Sequence, residues 1–395
     1  RNDMAWFQGD AVRKNPNLKP ETTISKEIGA EVRLLDGRLT ADVTYYDKYT
    51  RDQIVESELS YLSNYQRVII NSGKISNKGW EISVSGVPVK VKNFEWKTIF
   101  NWSKNNSMVE SLPEGIDKIQ IGSGVYNVKS YAEVGKPYGA IYAKTFKRDA
   151  EGYILCQLDG SPKEGQDYEY LGCVQADWRG GWNNVFRLGN FSFSVMFDFQ
   201  KGGKFFSQTS IQSSVDGQSV KSLEGRDADF FSRKILGESD EERYGFMRPQ
   251  NANTPTANGQ IYPDWGRPKG VVLPNCRYDE DVEGLAGQQV LGYCTPERYW
   301  MHYTSRDISR FIYDASYVKL REITVSYDLP KKWLRKTPFQ TFRVAAVGRN
   351  IATLFANTPH GLDPQATSTT GNAQGFERGF NLPSATYGFD IKVSF

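Results

Sequence analysis

The amino-acid sequence predicts an all-β fold, the C-terminal portion of a large antiparallel transmembrane β-barrel with about nine strands and long extracellular loops. Three observations favour this fold. Apolar and polar residues alternate with a period of two over long stretches. Tight turns alternate with long connections along the chain. The number of predicted strands is odd, so we expect them to pair with a further barrel portion that this chain does not contain.

Composition is compatible with a barrel and argues against several other classes. The formal net charge is +3, from 49 basic and 46 acidic residues, which gives no reason to expect nucleic acid as a partner. The mean hydropathy of −0.56 and the lack of a run of about 18 apolar residues exclude a transmembrane helix. Arg1 begins a polar stretch without the features of a signal peptide, so we expect an exported protein to have its N-terminus elsewhere.

The alternation defines the strands. In residues 191–200, one face carries only apolar side chains, namely Phe191, Phe193, Val195, Phe197 and Phe199. The same period recurs at 80–85, 94–102 and 387–395 and is typical of a strand with one apolar face. We expect Trp80, Trp96, Trp102 and Trp182 at lipid-facing or interfacial positions. The pattern predicts nine strands, at about 22–35, 37–52, 64–86, 92–107, 176–188, 190–204, 308–328, 340–355 and 384–395.

Two dipeptides, Asp36-Gly37 and Gly189-Asn190, are suited to two-residue hairpins. Closing the first hairpin pairs Leu34 with Leu39, Val32 with Ala41, Ala30 with Val43 and Ile28 with Tyr45. Closing the second hairpin pairs Leu188 with Phe191, Phe186 with Phe193 and Trp182 with Phe197. Every pair is apolar, and a one-residue slip would turn each strand over, so the turns and the alternation support each other.

The connections differ greatly in length. Those near 36–37, 87–93 and 189–190 are short, whereas those at 108–175, 205–307 and 356–383 are long. Outer-membrane barrels have this arrangement, with the long loops outside the cell. The connection at 205–304 is longer than is usual in a compact domain, so we expect it to be functional or to contain its own substructure. A soluble β-sandwich or lectin is the alternative, which the long strands with charged polar faces disfavour.

Residues for catalysis or metal binding are scarce. His302 and His360 are the two histidines, and neither has a zinc-like spacing to a cysteine. We therefore predict no catalytic residue, metal site or cofactor, and a hydrolase barrel would need a histidine in a wall strand. An acidic run could hold calcium, although solvated loop charge is the preferred interpretation because the spacing differs from an EF-hand loop. The run consists of Asp279, Glu280, Asp281 and Glu283.

Seven segments, in order, resemble the SusC family of TonB-dependent outer-membrane transporters from Bacteroidetes. They are NPNLKPE (15–21), NSGKISNKGWEI (71–82), GKPYGAIY (135–142), DWRGGWNN (177–184), SYVKLREITVSYDLPKKWL (316–334), GRNIATL (348–354) and GLDPQ (361–365). The resemblance spans nearly the whole chain, so residues 1–395 are identified as the C-terminal part of a receptor barrel. The plug, the TonB box and the N-terminal extension of the family have no match in this chain.

The resemblance implies a plugged barrel of about 22 strands in the outer membrane of a Gram-negative bacterium. It further implies import driven by the TonB complex, acting through the missing N-terminal part, and delivery of an oligomeric nutrient by a SusD-like surface lipoprotein. Oligosaccharide is the first choice of cargo, and oligopeptide is the alternative. An importer of small chelates and a structural or adhesin barrel are the less favoured readings.

Several side chains follow as candidates for function. Tyr262, Trp265, Tyr299, Trp300 and Tyr303 lie in the longest connection, where they could stack on a sugar ring or dock against the lipoprotein, with packing inside the loop as the alternative. Export through an oxidising periplasm favours two disulfides within loops, Cys156 with Cys173 and Cys276 with Cys294, with free thiols as the alternative. The terminal Phe395 is a candidate barrel-assembly signal or simply the last lipid-facing residue.

Overall fold

The computed structural model describes residues 12–58, 65, 67–71, 73–224, 271–294, 296–359, 361–365, 374–379 and 384–395. The first strands are β1 (Val12–Arg13), β2 (Thr22–Leu34), β3 (Leu39–Arg51), β4 (Ile54–Glu58), β5 (Arg67–Asn71), β6 (Lys74–Val91), β7 (Phe94–Ser111), β8 (Lys118–Ser123), β9 (Lys129–Glu133), β10 (Ala140–Phe146) and β11 (Ile154–Cys156). The remaining strands are β12 (Glu164–Cys173), β13 (Trp178–Leu188), β14 (Phe191–Lys201), β15 (Lys204–Ser207), β16 (Val271–Tyr278), β17 (Gln289–Cys294), β18 (Ile312–Asp314), β19 (Tyr317–Asp328), β20 (Thr341–Ala356), β21 (Phe376–Glu377) and β22 (Thr386–Ser394).

Among the residues that the structure describes, helical segments are few and short. The α-helices are α1 (Gln208–Val215), α2 (Pro296–Arg298) and α3 (Lys331–Leu334). Two 3-10 turns span Val220–Leu223 and Ile308–Phe311, and a π-helical turn spans Tyr299–Tyr303. Across the described segments, no helix has both the length and the apolar character needed to cross a membrane.

Nine long strands form one antiparallel sheet, which we call the wall, in the order β2-β3-β6-β7-β13-β14-β19-β20-β22. The nine predicted strands are therefore confirmed, and β2 and β22 form the two edges of the wall. Both predicted hairpin registers are also confirmed, since Leu34 pairs with Leu39 and Leu188 pairs with Phe191. Asp36 and Gly37 have positive φ angles of 54° and 81°, as a type I′ turn requires.

Two predicted strands begin too early. The strand predicted at 64–86 contains the separate strand β5, which pairs with β4 and β1 in a small sheet. The strand predicted at 308–328 contains a 3-10 turn and the short strand β18 before β19 begins at Tyr317. In both places the apolar pattern continues across a boundary, because the small sheets bury apolar residues of their own.

The long connections contain the buried cores of the molecule. They form four small sheets, of which one has the order β12-β10-β9-β8 and another the order β11-β16-β17. One core, which we call the loop core, combines residues from distant connections. Its members are Phe146, Ile154, Cys156, Val271, Leu273, Cys276, Tyr278, Val282, Leu285, Val290, Cys294, Tyr299, Trp300 and Tyr303. The expectation of substructure in the connection at 205–304 is thus confirmed.

The apolar face of the wall is exposed in the isolated chain. Large apolar side chains such as Ile28, Leu188, Phe191 and Phe389 are 72%, 62%, 58% and 86% exposed. In a water-soluble protein such a face would be buried against a second layer. Its exposure along the wall fits a surface whose solvent is lipid.

Candidate functional site

The polar face of the wall contains a hollow of about 410 Å³. Asp42, Ser83, Asn101, Gly181 and Asp198 contribute to its lining. These residues form one row across five strands, because each of them is paired with the next in the strand register. Directly opposite residues of an antiparallel sheet point to the same face, so the register of the wall builds this hollow.

Gly181 widens the hollow at its centre. A Cβ atom added there would lie 3.7 Å from the carbonyl oxygen of Phe197, which is an ordinary contact distance. No neighbour in the described structure therefore requires glycine at this position. Glycine weakens the interior of a strand and often marks the close approach of a ligand or another backbone. We therefore treat Gly181 as a position where an occupant of the hollow approaches the wall.

Two further hollows continue from the first toward the long connections. A middle hollow of about 260 Å³ shares Ser103 and Arg179 with the first. It shares Asn105, Gln175 and Ala176 with an upper hollow of about 530 Å³. The three hollows are thus continuous along β7 and β13, and we call them together the inner groove.

Side-chain amides and hydroxyls give the inner groove its chemistry. The Tyr46 hydroxyl donates to Asn105 Oδ1 at 3.1 Å, and Asn105 Nδ2 donates to Asn77 Oδ1 at 3.1 Å. Gly79 makes room for this contact, since a Cβ atom there would lie 2.3 Å from the Tyr46 hydroxyl. Within the described part of the chain, the amide of Asn101 forms no side-chain hydrogen bond. Amides and hydroxyls both donate and accept, which suits the hydroxyls of a sugar or the peptide groups of a peptide.

The GLDPQ segment is fastened to the polar face beside the groove. The Lys319 ammonium contacts Asp363 Oδ1 at 2.6 Å, and it donates to Gln365 Oε1 at 3.0 Å. Arg321 also donates to Gln365 Oε1 at 2.7 Å and pairs with Asp198 of the groove lining. Lys319 is only 5% exposed in its side chain, so this ion pair is worth more than a solvated one. The family segments at 316–334 and 361–365 therefore meet in space.

The structure corrects the predicted role of three loop aromatics. Tyr299, Trp300 and Tyr303 are 1%, 1% and 2% exposed and belong to the loop core. The Trp300 indole donates to the Glu224 carbonyl oxygen at 3.2 Å, and Arg298 donates to the Tyr303 hydroxyl at 3.0 Å. Their faces are occupied by neighbouring protein, so packing within the loop is the correct interpretation for them. Tyr262 and Trp265 lie outside the described residues.

The predicted disulfides are also corrected, because none of the four cysteines forms one. Strand β11 pairs in parallel with β16, with Ile154 opposite Cys276. Cys156 therefore joins Cys276 and Cys294 in the loop core. Cys173 lies apart on β12, where its thiol contacts the Tyr138 carbonyl oxygen at 3.5 Å. The prediction paired cysteines that lie in the same connection. This criterion was wrong, because strands of different connections pair with each other and decide which thiols come together.

The acidic run differs in part from its predicted role as solvated charge. Asp279 is 2% exposed and contacts the ammonium groups of Lys147 and Lys163 at 2.8 Å each. It thereby joins the connection at 112–177 to the one at 271–294. Asp281 pairs with Lys163, while Glu280 and Glu283 are exposed. Among the described residues, no three His, Cys, Asp or Glu side chains are grouped to hold a metal ion.

One surface was missed because residues 108–175 were treated as a plain loop. We call it the tyrosine–lysine face, and it lies on one side of the sheet β12-β10-β9-β8. The ring centroids of Tyr131 and Tyr142 are 5.1 Å apart, and those of Tyr142 and Tyr170 are 5.6 Å apart. The period-two pattern of these strands was a usable signal. The face is defined by Lys118, Lys129, Lys136, Tyr131, Tyr142 and Tyr170.

Comparison with known proteins identifies the wall. Residues 3–138 match the family model described as TonB dependent receptor-like, β-barrel. The TonB-dependent receptor P3 of Formosa agariphila is 25% identical over an alignment that covers 94% of this chain. The chain resembles part of a TonB-dependent receptor β-barrel. A solved structure of the RagAB peptide transporter has the same fold over 95% of this chain, with a TM-score of 0.60 and 16% identity.

The match to relatives covers only part of their length. This chain spans 33% of P3 and 35% of the RagAB chain. The TonB-dependent receptor SusC of Bacteroides thetaiotaomicron is 29% identical over 104 residues, which cover 26% of this chain and 10% of SusC. The predicted resemblance to the SusC family is confirmed by these matches. Proteins of this family are outer-membrane receptors and transporters rather than enzymes.

Proposed function

We propose that the protein imports oligomeric nutrients across the outer membrane, together with a SusD-like surface lipoprotein and with energy from the TonB complex. The inner groove is the observation that carries this proposal. It runs from the connections at 112–177 and 202–316 down the polar face of the wall, and its lining combines neutral hydrogen-bonding groups with charged side chains. An adhesin or a purely structural barrel would have no use for such a path.

The long connections support a lipoprotein partner. A stable cap needs an interface of more than about 1,000 Å². The small sheets of these connections give the outer rim an ordered surface, because their apolar side chains are already buried in cores of their own. A preorganised surface lowers the entropy cost of binding. Partner contacts by Tyr262 and Trp265 remain part of this proposal.

Oligosaccharide is the proposed cargo. Side-chain amides and hydroxyls such as those of Asn101, Asn105 and Ser103 can pair with the many hydroxyls of a glycan. Oligopeptide is the second candidate, favoured by the shared fold with RagAB, which is described as a peptide transporter. The same groups can pair with peptide N–H and C=O groups.

The test is to purify the full-length transporter in mild detergent and to grow a deletion strain on defined glycans and peptides. We expect a lipoprotein to copurify and growth on at least one glycan to be lost in the deletion strain. Growth loss confined to peptides would replace the glycan cargo with a peptide cargo. Purification without a lipoprotein, together with unchanged growth on every polymer, would overturn the proposal.

Gly181 provides a sharper test of the groove. Gly181→Trp places an indole in the hollow of about 410 Å³, whereas Gly181→Ala adds one methyl group with ordinary contacts. We expect the tryptophan variant to lose most of the import that depends on the transporter and the alanine variant to retain it. Both variants should still migrate as folded barrels on unheated gels. Equal import by the two folded variants would remove the inner groove from the transport path.

A further inference from the structure

The tyrosine–lysine face holds its ammonium groups over aromatic rings. Lys118 Nζ lies 4.9 Å from the centroid of Tyr131 and 4.6 Å from that of Tyr142. Lys136 Nζ lies 5.0 Å from the centroid of Tyr142 and 4.5 Å from that of Tyr170. Lys129 is held in the same way, 4.6 Å from the ring of Tyr168. The lysines therefore cover the ring faces, and the surface presented outward is cationic rather than aromatic.

The strand register places these groups on one side of the sheet, where the central Tyr142 is covered by its neighbours and only 4% exposed. Tyr142 pairs with Lys129 on one side and with Tyr170 on the other, so the three residues point the same way. The neighbouring residues Ile141 and Ala143 point to the opposite side and are fully buried in a core. Tyr170 is 41% exposed. The face is thus an ordered outer surface supported from behind by apolar packing.

The balance of charge on this face is positive. Glu133 contacts Lys136 at 3.1 Å and accepts a hydrogen bond from Tyr142. Glu133 also lies opposite Lys118 in the strand register, so this one carboxylate is shared by two of the three lysines, and Lys129 lies over the ring of Tyr168. A cation–π contact keeps the charge of the ammonium group and leaves some of its donors available. The ammonium charges are held in place, so little side-chain entropy remains to be lost when an anion binds.

The face leads directly to the inner groove. Tyr170, the last ring of the row, lines the upper hollow together with Lys204 and Pro137. A chain-like ligand bound across the three rings would therefore have one end at the mouth of the groove. This continuity distinguishes the face from a patch of surface charge elsewhere on the loops.

We propose that the tyrosine–lysine face selects acidic oligosaccharides, in which carboxylate or sulfate groups on the sugars meet Lys118 and Lys129, and aligns them with the inner groove. This inference rests on the proposed function, because it takes glycan import as given. The inference adds to the proposed function that the glycan cargo is acidic. The ring faces are covered by ammonium groups, so ionic contacts with the acidic groups provide the selectivity, rather than stacking on neutral sugars.

The experiment measures binding of three probes of equal length to the full-length transporter in detergent by calorimetry. The probes are hexagalacturonate, maltohexaose and hexa-aspartate. We expect hexagalacturonate to bind more tightly than both others, and to weaken as salt rises from low to physiological concentration. Equal or tighter binding of maltohexaose would overturn the proposal. Equal or tighter binding of hexa-aspartate would overturn the glycan assignment in favour of acidic peptides.

Variants test the residues directly. The double variant Lys118→Gln/Lys129→Gln should weaken hexagalacturonate binding by about fivefold or more, since each ion pair at an exposed site contributes a modest amount. The matched control is Lys331→Gln/Lys332→Gln, which removes the same charge within the short helix α3 at the opposite rim and should bind like the unaltered protein. If both double variants weaken hexagalacturonate binding equally, the proposed role of the face is overturned. The same holds if neither of them weakens it.

The binding measurement does not require import, so its failure can be told from failure of the proposed function. Import of a neutral glycan without binding of hexagalacturonate would overturn the selectivity of the face alone. Binding of hexagalacturonate by a protein whose deletion leaves growth on every polymer unchanged would support the face and overturn the proposed function.

Discussion

Burial controls the chemistry of the cysteines. Burial raises the pKa of the Cys294 thiol to about 12 and also raises the pKa of Cys173. A hydrogen bond with Cys276, followed by burial, raises the pKa of Cys156. The thiolate is the reactive form of cysteine. The raised pKa values lower the thiolate fraction of these cysteines and so slow their oxidation.

We expect a maleimide at pH 7.5 to modify mainly Cys173 in the folded protein, because it is only partly buried while the other three are fully buried. After unfolding without reductant, all four thiols should react. Mass spectrometry of the labelled peptides checks both expectations. Fewer than four labels after unfolding would mean that a disulfide forms in the membrane-inserted protein.

Asp279 makes the loop core sensitive to acid. Burial alone would raise the pKa of its carboxyl group, but hydrogen bonds from Lys147 and Lys163 outweigh burial and lower it to about 2. A carboxyl whose pKa is lowered by folding stabilises the folded state fully above its unfolded pKa of about 3.9. This stabilisation is lost as the pH falls from about 4 toward 2.

Asp279→Asn should therefore weaken the loop core at pH 6 by about 1–3 kcal/mol and flatten its response to acid. The matched control is Asp281→Asn, which removes an exposed carboxylate that contacts the same Lys163. Hydrogen exchange of strands β16 and β17 at pH 6 and at pH 3 gives the measurement. If Asp279→Asn and the unaltered protein respond to acid in the same way, the acid sensitivity of the loop core comes from other titratable groups.

At the scale of elements, the hairpins of the wall could be predicted from the sequence, whereas the parallel pairing of β11 with β16 could not. The registers of the pairs β2-β3 and β13-β14 follow from turn residues and alternation within one short stretch. The parallel pairing of β11 with β16 joins residues more than 100 positions apart, as in Ile154 opposite Cys276. The period-two alternation of a strand does not indicate which distant strand it pairs with. The loop core and the inner groove, which depend on distant pairings, were missed for this reason.

The two faces of one wall strand give a matched test of orientation. Phe197 lies on the apolar face, with its ring centroid 5.9 Å from that of Trp182. Ser194 lies on the polar face, where its hydroxyl contacts Asn183 Oδ1 at 3.1 Å. Phe197→Arg should destabilise the barrel by roughly 2–4 kcal/mol near the bilayer midplane, and Ser194→Arg should cost less. Folding into lipid vesicles measures both variants, and equal defects would contradict the assigned orientation.

At the scale of the whole molecule, the family resemblance predicted the kind of barrel, which the period-two alternation alone could not. The seven segments lie far apart in sequence, yet Lys319 and Arg321 of one meet Gln365 of another in the structure. These contacts give the polar side chains of two of the segments a structural role that alternation in the wall does not require. Under the proposed function, surfaces of this kind select the partner and the cargo, and alternation in the wall does not determine them.

The two edges of the wall determine how the molecule assembles. In the described structure, β2 pairs only with β3 and β22 pairs only with β20, so each edge leaves one side of its backbone unpaired. Within the hydrocarbon region every unpaired backbone group costs several kcal/mol, and stable barrels therefore have no free edge. Both edges have long apolar faces, with Tyr387 and Ile391 of β22 being 76% and 61% exposed.

We therefore expect this 395-residue chain, expressed alone, not to form a monomeric barrel in vesicles. The full-length protein should form one, because this chain spans only about a third of its relatives and the rest can supply partner strands for both edges. Mobility on gels with and without heating, and protection from protease in vesicles, distinguish the two outcomes. A heat-modifiable, protected monomer of this chain alone would mean that β2 and β22 pair with each other. The wall would then close with nine strands, and the inner groove would be the lumen of a much narrower pore.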